Sequence, residues 1–197
     1  MRSDHPAVLL RSRTFAPSLF SATFSAPDLA RGTAPGQFVM LEVPERSRPY
    51  LRRAYSVADV DTDRGEVEFL VKTIGPGTSA LERLTVGSSA RLLGPLGNSF
   101  SLSGLSASDR VAVVAGGIGA APFPLLYRAL AAARIPGDLF LGGRSSADLS
   151  IASRFSGVVT GELQISTDDG SAGRRGFITD LFAERAASLP SRYARVF

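Results

Sequence analysis

Val111-Ala112-Val113-Val114-Ala115-Gly116-Gly117-Ile118-Gly119-Ala120-Ala121-Pro122 decides the reading of this chain. Val111–Ala115 is a continuous apolar run, the pattern of a strand buried on both faces of a sheet. A glycine-rich turn follows, and then Pro122–Arg134 carries Leu126, Ala129, Leu130 and Ala133 at helical spacing. Glycines let a backbone turn tightly and approach a ligand closely. The free N–H groups and positive dipole at the start of the next helix favour a pyrophosphate. Pro122 and Pro124 suit a first helical turn, where N–H groups are unpaired in any case. The fingerprint is not the ordinary dinucleotide one: Pro122 stands where a third Gly or Ala is usual. The second strand ends in Gly142, Gly143 and Arg144 rather than in an acid for a ribose hydroxyl. The expectation is a nicotinamide nucleotide on Gly116, Gly117, Ile118 and Gly119, with NADH against NADPH left open. Arg144 reads either as a partner for a 2′-phosphate or as a solvated loop residue.

Working outward, Asp138–Leu141 and Glu162–Thr167 read as further buried strands and Phe177–Ala187 as a helix. Alternating strands and helices imply a parallel sheet. Towards the amino terminus the pattern changes. Val8–Arg13, Leu19–Ala26, Gln37–Val43, Ala54–Val60, Glu66–Ile74 and Ala90–Leu93 are short, partly alternating and separated by Pro, Gly, Asp and Ser. Six such strands suggest a small antiparallel barrel or sandwich. The expected domains are 1–103 and 108–197, with the boundary in the Ser-rich stretch Ser101–Asp109. Phe15, Phe20, Phe24, Phe38 and Phe69 have strand spacing and read as core.

Composition agrees with two small folded domains. The 197 residues are 44% hydrophobic and 20% charged, with a mean hydropathy of +0.12, which excludes a disordered chain. The absence of Cys excludes a disulfide framework and thiolate ligation of a metal, and the single His5 argues against a histidine metal cluster or a Ser-His-Asp triad. Net charge is +4, with Lys72 the one lysine beside twenty-one arginines. That balance is too mild to imply a nucleic-acid partner. Arg46, Arg48, Arg52 and Arg53 cluster, but only Tyr50 and Tyr55 interleave with them. Asp168 and Asp169 lack the further acids of a calcium loop, so no metal site is expected. The uncharged run Val111–Tyr127 is interrupted by Gly and Pro and falls short of the roughly 20 residues of a membrane helix, which leaves the cytoplasm as the default location.

Two segments of the first half also carry chemistry. In Arg53-Ala54-Tyr55-Ser56 an arginine beside a strand can hold phosphate by a charge-assisted fork. Tyr55, two residues on, points to the same side and can stack on an aromatic ring, and Ser56 offers a hydroxyl. Val71-Lys72-Thr73-Ile74-Gly75-Pro76-Gly77-Thr78-Ser79 ends a strand in a glycine-rich turn before a short helix, Ser79–Leu84. Its N–H groups form a second phosphate cradle. Ser79 and Glu82 have capping-box spacing, so Ser79 reads as a cap and Gly77 and Thr78 as the better ligand candidates. Two phosphate signals in one β-rich domain suggest a flavin dinucleotide.

Arg53–Ser56, Gly75–Thr78, Gly94-Pro95-Leu96-Gly97-Asn98 and Gly116–Pro122 occur in the order found in ferredoxin–NADP reductase-like flavoproteins, which the chain resembles over nearly its whole length. Thr167-Asp168-Asp169-Gly170-Ser171, running into Gly176-Phe177-Ile178-Thr179-Asp180-Leu181, is similar to the electron-transfer subunits of the NAD-linked, two-subunit (class 1B) dihydroorotate dehydrogenases. The resemblance implies a six-stranded antiparallel barrel binding FAD, followed by a parallel-sheet domain binding NAD(H). It implies that Arg53 holds the FAD pyrophosphate with Gly75, Gly77 and Thr78. Ala54, Tyr55 and Ser56 would line the flavin, Ser56 near N5, and Leu70, Val71 and Lys72 would touch it mostly through backbone. Gly116, Gly117 and Gly119 would line the nicotinamide nucleotide, with Thr167 and Asp168 nearby. The implied function passes hydride from nicotinamide C4 to flavin N5, and then electrons to a dihydroorotate dehydrogenase catalytic subunit in a heterotetramer of pyrimidine biosynthesis. In that family a CGP motif and a Cys-rich segment holding a [2Fe-2S] cluster follow. Here no Cys is present, and Arg195-Val196-Phe197 reads as the start of a fourth parallel strand where the sequence stops. The sequence-level expectation is therefore a truncated nucleotide domain with an exposed strand edge. Phe197 is a poor counterpart of the terminal aromatic that stacks on flavin in some reductases. The alternatives are a stand-alone NAD(P)H:flavin or ferredoxin reductase, and a non-catalytic binding module.

Overall fold

The computed structural model describes residues 3–42, 51–188 and 192–197. The chain divides into two compact units at Ser99 and Phe100. In the first, six strands close into an antiparallel barrel in the order β1-β2-β5-β4-β3-β6. They are β1 (Ser3–Ala16), β2 (Leu19–Ser25), β3 (Phe38–Glu42), β4 (Arg53–Asp61), β5 (Glu66–Lys72) and β6 (Ser89–Leu96), with β6 pairing back on β1. Closure, rather than an open sandwich, leaves no strand edge unpaired. The alternation places Leu9, Phe20, Phe24, Val39, Leu41, Phe69 and Leu92 inside. Phe15 and Phe38, expected in the core from their spacing, are only half-buried. The Arg13 guanidinium lies 5.2 Å from the Phe15 ring centroid, which suits a ring at the barrel wall rather than within it. Two short helices, α1 (Pro27–Gly32) and α2 (Pro76–Glu82), complete the unit.

One end of the barrel is tied by charge. Asp4 on β1 accepts a two-pronged fork from Arg52, at 2.9 and 2.8 Å, and two further bonds from Arg91 on β6, at 3.0 and 2.7 Å. Arg52 also reaches Glu42 on β3 at 2.9 Å. Arg52, one of the clustered arginines, therefore closes the barrel. Arg46, Arg48 and Tyr50, and the Val43 end of the expected third strand, lie outside the described residues.

The second unit is a parallel sheet in the order β10-β9-β8-β7-β11. Its strands are β7 (Val111–Gly116), β8 (Gly137–Gly143), β9 (Leu163–Thr167) and the two-residue β10 (Arg174–Arg175) and β11 (Arg195–Val196). Helix α3 (Phe123–Ala132) packs its buried Leu126, Tyr127 and Leu130 on one face of the sheet. On the other face α4 (Ile178–Ser188) brings Ile178, Leu181 and Phe182 onto Ala112 and Phe140. Continuous apolar strands are required by cover on both faces. β10 and the ten-residue 3₁₀ segment Ser146–Phe155 were not legible, being too short or too polar for either periodicity.

One expectation at this sheet needs correction. The edge of β7 is not bare. β11 pairs with it in parallel, and Phe197 donates to the Ala112 carbonyl and accepts from the Val114 N–H, each at 2.9 Å. Phe197 packs on Phe100, ring centroids 5.5 Å apart, which accounts for the ring within its own unit.

The feature that gathers these strands is Asp138, the first side chain of β8 after Gly137 and only 1% exposed. It accepts from Arg110 at 2.5 Å, the Glu162 N–H at 2.8 Å, Arg192 at 2.9 Å and the Tyr193 hydroxyl at 2.8 Å. Burial pushes its pKa up, but the Glu162 amide, Tyr193 hydroxyl and the two guanidiniums outweigh this and hold the carboxyl below its ordinary value. Removing one partner of such a buried group leaves unpaired charge at a cost of about 3–5 kcal/mol. Asp138→Ala should therefore lower the urea stability of the second unit by about 3 kcal/mol or more, while the barrel's transition stays in place. Asp4, held at about 2 by its arginines against an ordinary 3.8, stabilises the barrel fully above about pH 4 and loses that effect as pH falls towards 2. In an acid titration followed by circular dichroism, Asp4→Asn should be less stable at pH 7 and lose less between pH 4 and 2 than the unaltered chain.

Candidate functional site

In the barrel unit the geometry centres on Arg53, the first residue of β4. Its Nη1 donates to the Leu51 carbonyl at 2.7 Å. The guanidinium lies directly over Gly77 in α2, so that a Cβ at Gly77 would overlap its Nε and Cζ. Two residues far apart in sequence thus form one cationic cradle on a backbone without a side chain. The helix beneath begins earlier than expected. Gly75 caps it and Pro76 starts it, while Ser79 lies inside it. Thr78 is the capping hydroxyl, accepting from the Ile74 and Gly75 N–H groups at 2.9 and 3.1 Å and donating to the Gly75 carbonyl at 3.0 Å. Glu82 accepts from Thr73, at 3.0 Å. The capping-box reading of Ser79 and Glu82 is thereby replaced by a cap built from Gly75 and Thr78.

Tyr55 follows Arg53 on the same side of β4. Its ring packs against Phe69, centroids 6.3 Å apart. Its hydroxyl is buried with no hydrogen-bond partner among the described residues, and burial raises its pKa. An unpartnered buried hydroxyl costs about 1–3 kcal/mol, so this one marks a place for a polar ligand atom. Ser56 pairs with Phe38 of β3 and is half-buried, whereas Ala54 is exposed. Leu70 and Val71 are buried in β5 and Lys72 ends it half-buried. Arg53 and Gly77 are therefore brought together, with Thr78 next to Gly77 in α2 and Tyr55 two residues beyond Arg53 on β4. Leu70 and Val71 are part of the buried packing of the wall.

In the second unit the expected nucleotide residues lie at the carboxyl end of the parallel sheet, where α/β folds bind ligands. Gly116 ends β7, and Gly117–Ala120 forms a single 3₁₀ turn before Pro122 caps α3. Gly117 has φ +49°. A Cβ at Gly116, Gly117 or Gly119 would meet nothing within 4 Å, so the backbone is presented bare to open space. Ile118 between them is half-buried. Arg144 is exposed after β8 and donates through its N–H and its Nε to Asp148, each at 3.2 Å. Thr167 is fully buried, and its hydroxyl both donates to and accepts from Ala172, at 2.9 and 3.0 Å. That hydroxyl is spent inside its own turn. Asp168 is exposed, with its N–H on the Gly143 carbonyl at 3.0 Å. Asp138 and Ser171 were not singled out from the sequence. A carboxylate at the start of a strand read as buried was the available signal for the first, and the second had none.

Comparison with known proteins agrees with this geometry. Residues 12–100 match the oxidoreductase FAD-binding domain family. The chain is 37% identical to the electron transfer subunit of dihydroorotate dehydrogenase B (NAD(+)) from Desulforamulus reducens, over 84% of this chain and 62% of that protein. It is 33% identical to the subunit from Geobacillus thermodenitrificans, over 94% of this chain and 72% of that protein. It therefore spans between three-fifths and three-quarters of the length of these relatives. Among solved structures, the ferredoxin reductase in carbazole 1,9a-dioxygenase superposes with a TM-score of 0.81 at 25% identity, over 98% of this chain and 60% of that one. An NADH-dependent reduced ferredoxin-NADP oxidoreductase gives 0.78 at 27%, over 90% and 62%. Barrel order, the Arg53–Gly77 cradle, the bare glycine turn and these identities converge: the chain belongs to the family of electron transfer subunits of dihydroorotate dehydrogenase B (NAD(+)).

Proposed function

We propose that the barrel holds FAD and the second unit a nicotinamide nucleotide, and that the chain carries electrons between that nucleotide and a dihydroorotate dehydrogenase catalytic subunit. The observation that carries the reading is the Arg53 guanidinium over the bare backbone of Gly77, a cation on a surface shaped for close approach by a diphosphate. When bound, NADH supplies a hydride and FAD accepts it as a pair and can release electrons singly. The protein's part is to bind and orient. Arg53 and the α2 turn grip the pyrophosphate, Tyr55 packs along the flavin and finds a partner for its buried hydroxyl, and Ser56 faces the ring. Gly116, Gly117 and Gly119 let the nucleotide lie against the backbone. No acid or base is needed for hydride transfer itself.

The [2Fe-2S] cluster expected from the family resemblance does not fit the residues present. The chain contains no Cys, hence none of the four thiolates that such a cluster ordinarily takes, and no electron step is assigned through one. Among the described residues no helix is long and apolar enough to cross a membrane, and the partner proposed is a protein subunit. The similarity to ferredoxin reductases supports a second reading, in which the chain reduces ferredoxin or free flavin without a partner subunit.

The purified full chain should show a flavin absorption spectrum that bleaches on anaerobic addition of NADH. A colourless chain that also fails to take up added FAD would overturn the proposal. NADH-dependent reduction of orotate, appearing only when the catalytic subunit is added, favours the subunit reading over the stand-alone reductase. Gly77→Ala places a methyl group where the Arg53 side chain now lies. Loss of one charge-assisted contact is worth about 1.5–3 kcal/mol, so FAD affinity measured by flavin fluorescence should fall roughly ten- to hundredfold.

A further inference from the structure

The two loops beyond β8 and β9 are joined into one body. The Asp168 N–H bonds the Gly143 carbonyl at 3.0 Å and the Asp169 N–H bonds the Arg144 carbonyl at 3.2 Å, which extends the strand pairing past the end of the sheet. One side chain completes the join. The Ser171 Oγ accepts the Ser146 N–H at 2.8 Å and donates to Asp169 Oδ1 at 2.6 Å, while the Ser171 N–H bonds the same carboxylate oxygen at 2.9 Å. Thr167 pins the base of this loop through Ala172. Glycines make the compact turn possible. Gly173, at φ +63°, runs so close to the Ile165 carbonyl that a Cβ would overlap it, and Gly170 sits at φ +77° against Arg175. The neighbouring acids thus have different duties. Asp169 is committed inside the loop, whereas the Asp168 carboxylate is exposed and enters none of these bonds.

In parallel α/β sheets the strand after the glycine-rich turn ends at the adenosine ribose of a dinucleotide. Here that strand is β8, and its end is the Gly143–Ser146 segment clasped by Ser171. We infer that Ser171 is a positioning residue for the nicotinamide nucleotide. It locks the loop after β9 to the start of the 3₁₀ segment after β8, and so fixes the ledge that receives the adenosine end. This inference rests on the nucleotide reading of the second unit. It differs from the sequence-level assignment, which gave the loop's contacts to Thr167 and Asp168 and no part to Ser171.

The bond can be removed from either side. Ser171→Ala deletes the acceptor. Ser146→Pro deletes the donor, at the first position of a 3₁₀ segment where proline's fixed φ is accommodated; Ser145 before it is already extended, at φ −147° and ψ 174°, as a residue preceding proline requires. ADP-ribose, which has the adenosine end and no nicotinamide, is the probe, titrated calorimetrically into the FAD-loaded full chain. Each variant should bind it roughly three- to tenfold more weakly, the effect of one lost hydrogen bond. The double variant should be no worse than Ser171→Ala alone, because that change already removes the bond to Ser146 together with the one to Asp169. Ser171→Thr should restore binding. The KM for NADH should rise by the same factor with kcat and the flavin spectrum unchanged. Equal affinity in the unaltered chain and both single variants, or losses that multiply in the double variant, would overturn the role of Ser171 while leaving the nucleotide site standing. An unaltered chain that binds neither ADP-ribose nor NADH would overturn both.

Discussion

A single buried carboxylate organises the parallel-sheet half of the molecule. Asp138 sits at the amino-terminal end of β8 and takes bonds from Arg110 before β7, from the Glu162 amide before β9, and from Arg192 and Tyr193 before β11. Four neighbouring strand starts are thereby fixed by one group. An ion of this kind is tolerable at 1% exposure only because four donors surround it. Gly161 shows how tightly: a side chain there would run into the Asp138 carboxylate. Tyr193, donating to it, is itself pushed up to about 12 by burial and by that bond.

With the polar anchoring at one end of the sheet, the other end is left for loops. Gly116–Ala120, Gly143–Ser146 and Asp168–Gly173 all emerge at the carboxyl ends of parallel strands. The last two are joined by backbone bonds and by the short side chains of Thr167, Asp169 and Ser171. The anchoring carboxylate and the loops thus lie at opposite ends of the strands, and in parallel α/β folds ligands bind at the carboxyl ends. The barrel shows a comparable division. Arg52 and Arg53 are adjacent, yet Arg52 is consumed by Asp4 and Glu42 while Arg53 turns over Gly77. One arginine closes the fold and the next lies over a backbone without a side chain.

The architecture was largely legible because the two halves differ in period. Short alternating segments with frequent turn residues announced the barrel, and the run Val111–Ala115 with its glycine turn announced the parallel sheet. Spacing alone misjudged Phe15 and Phe38, since strand alternation does not distinguish a barrel's interior from its rim. β10 and β11 are two residues each, too short for any periodic signal, and only the second was anticipated. The glycine turn and Arg53 stood out in the sequence because a phosphate site would restrict the residue types to ones like these. What was not legible is the pairing of distant residues: that Arg53 would meet Gly77, that the Thr167 hydroxyl would be absorbed by Ala172, and that Ser171 would reach Ser146. Those depend on loop geometry, which hydrophobic patterning does not encode.

The central claim is that the Arg53–Gly77 cradle grips a dinucleotide diphosphate and so makes the barrel a site for FAD. Titrating the full chain with FAD and, separately, with riboflavin measures that grip directly, since the two share the flavin ring and differ in the phosphates and adenosine. The account requires FAD to bind at one per chain and at least roughly tenfold more tightly than riboflavin, the effect of a single charge-assisted contact. Equal affinity for the two, or no binding of either, would contradict it.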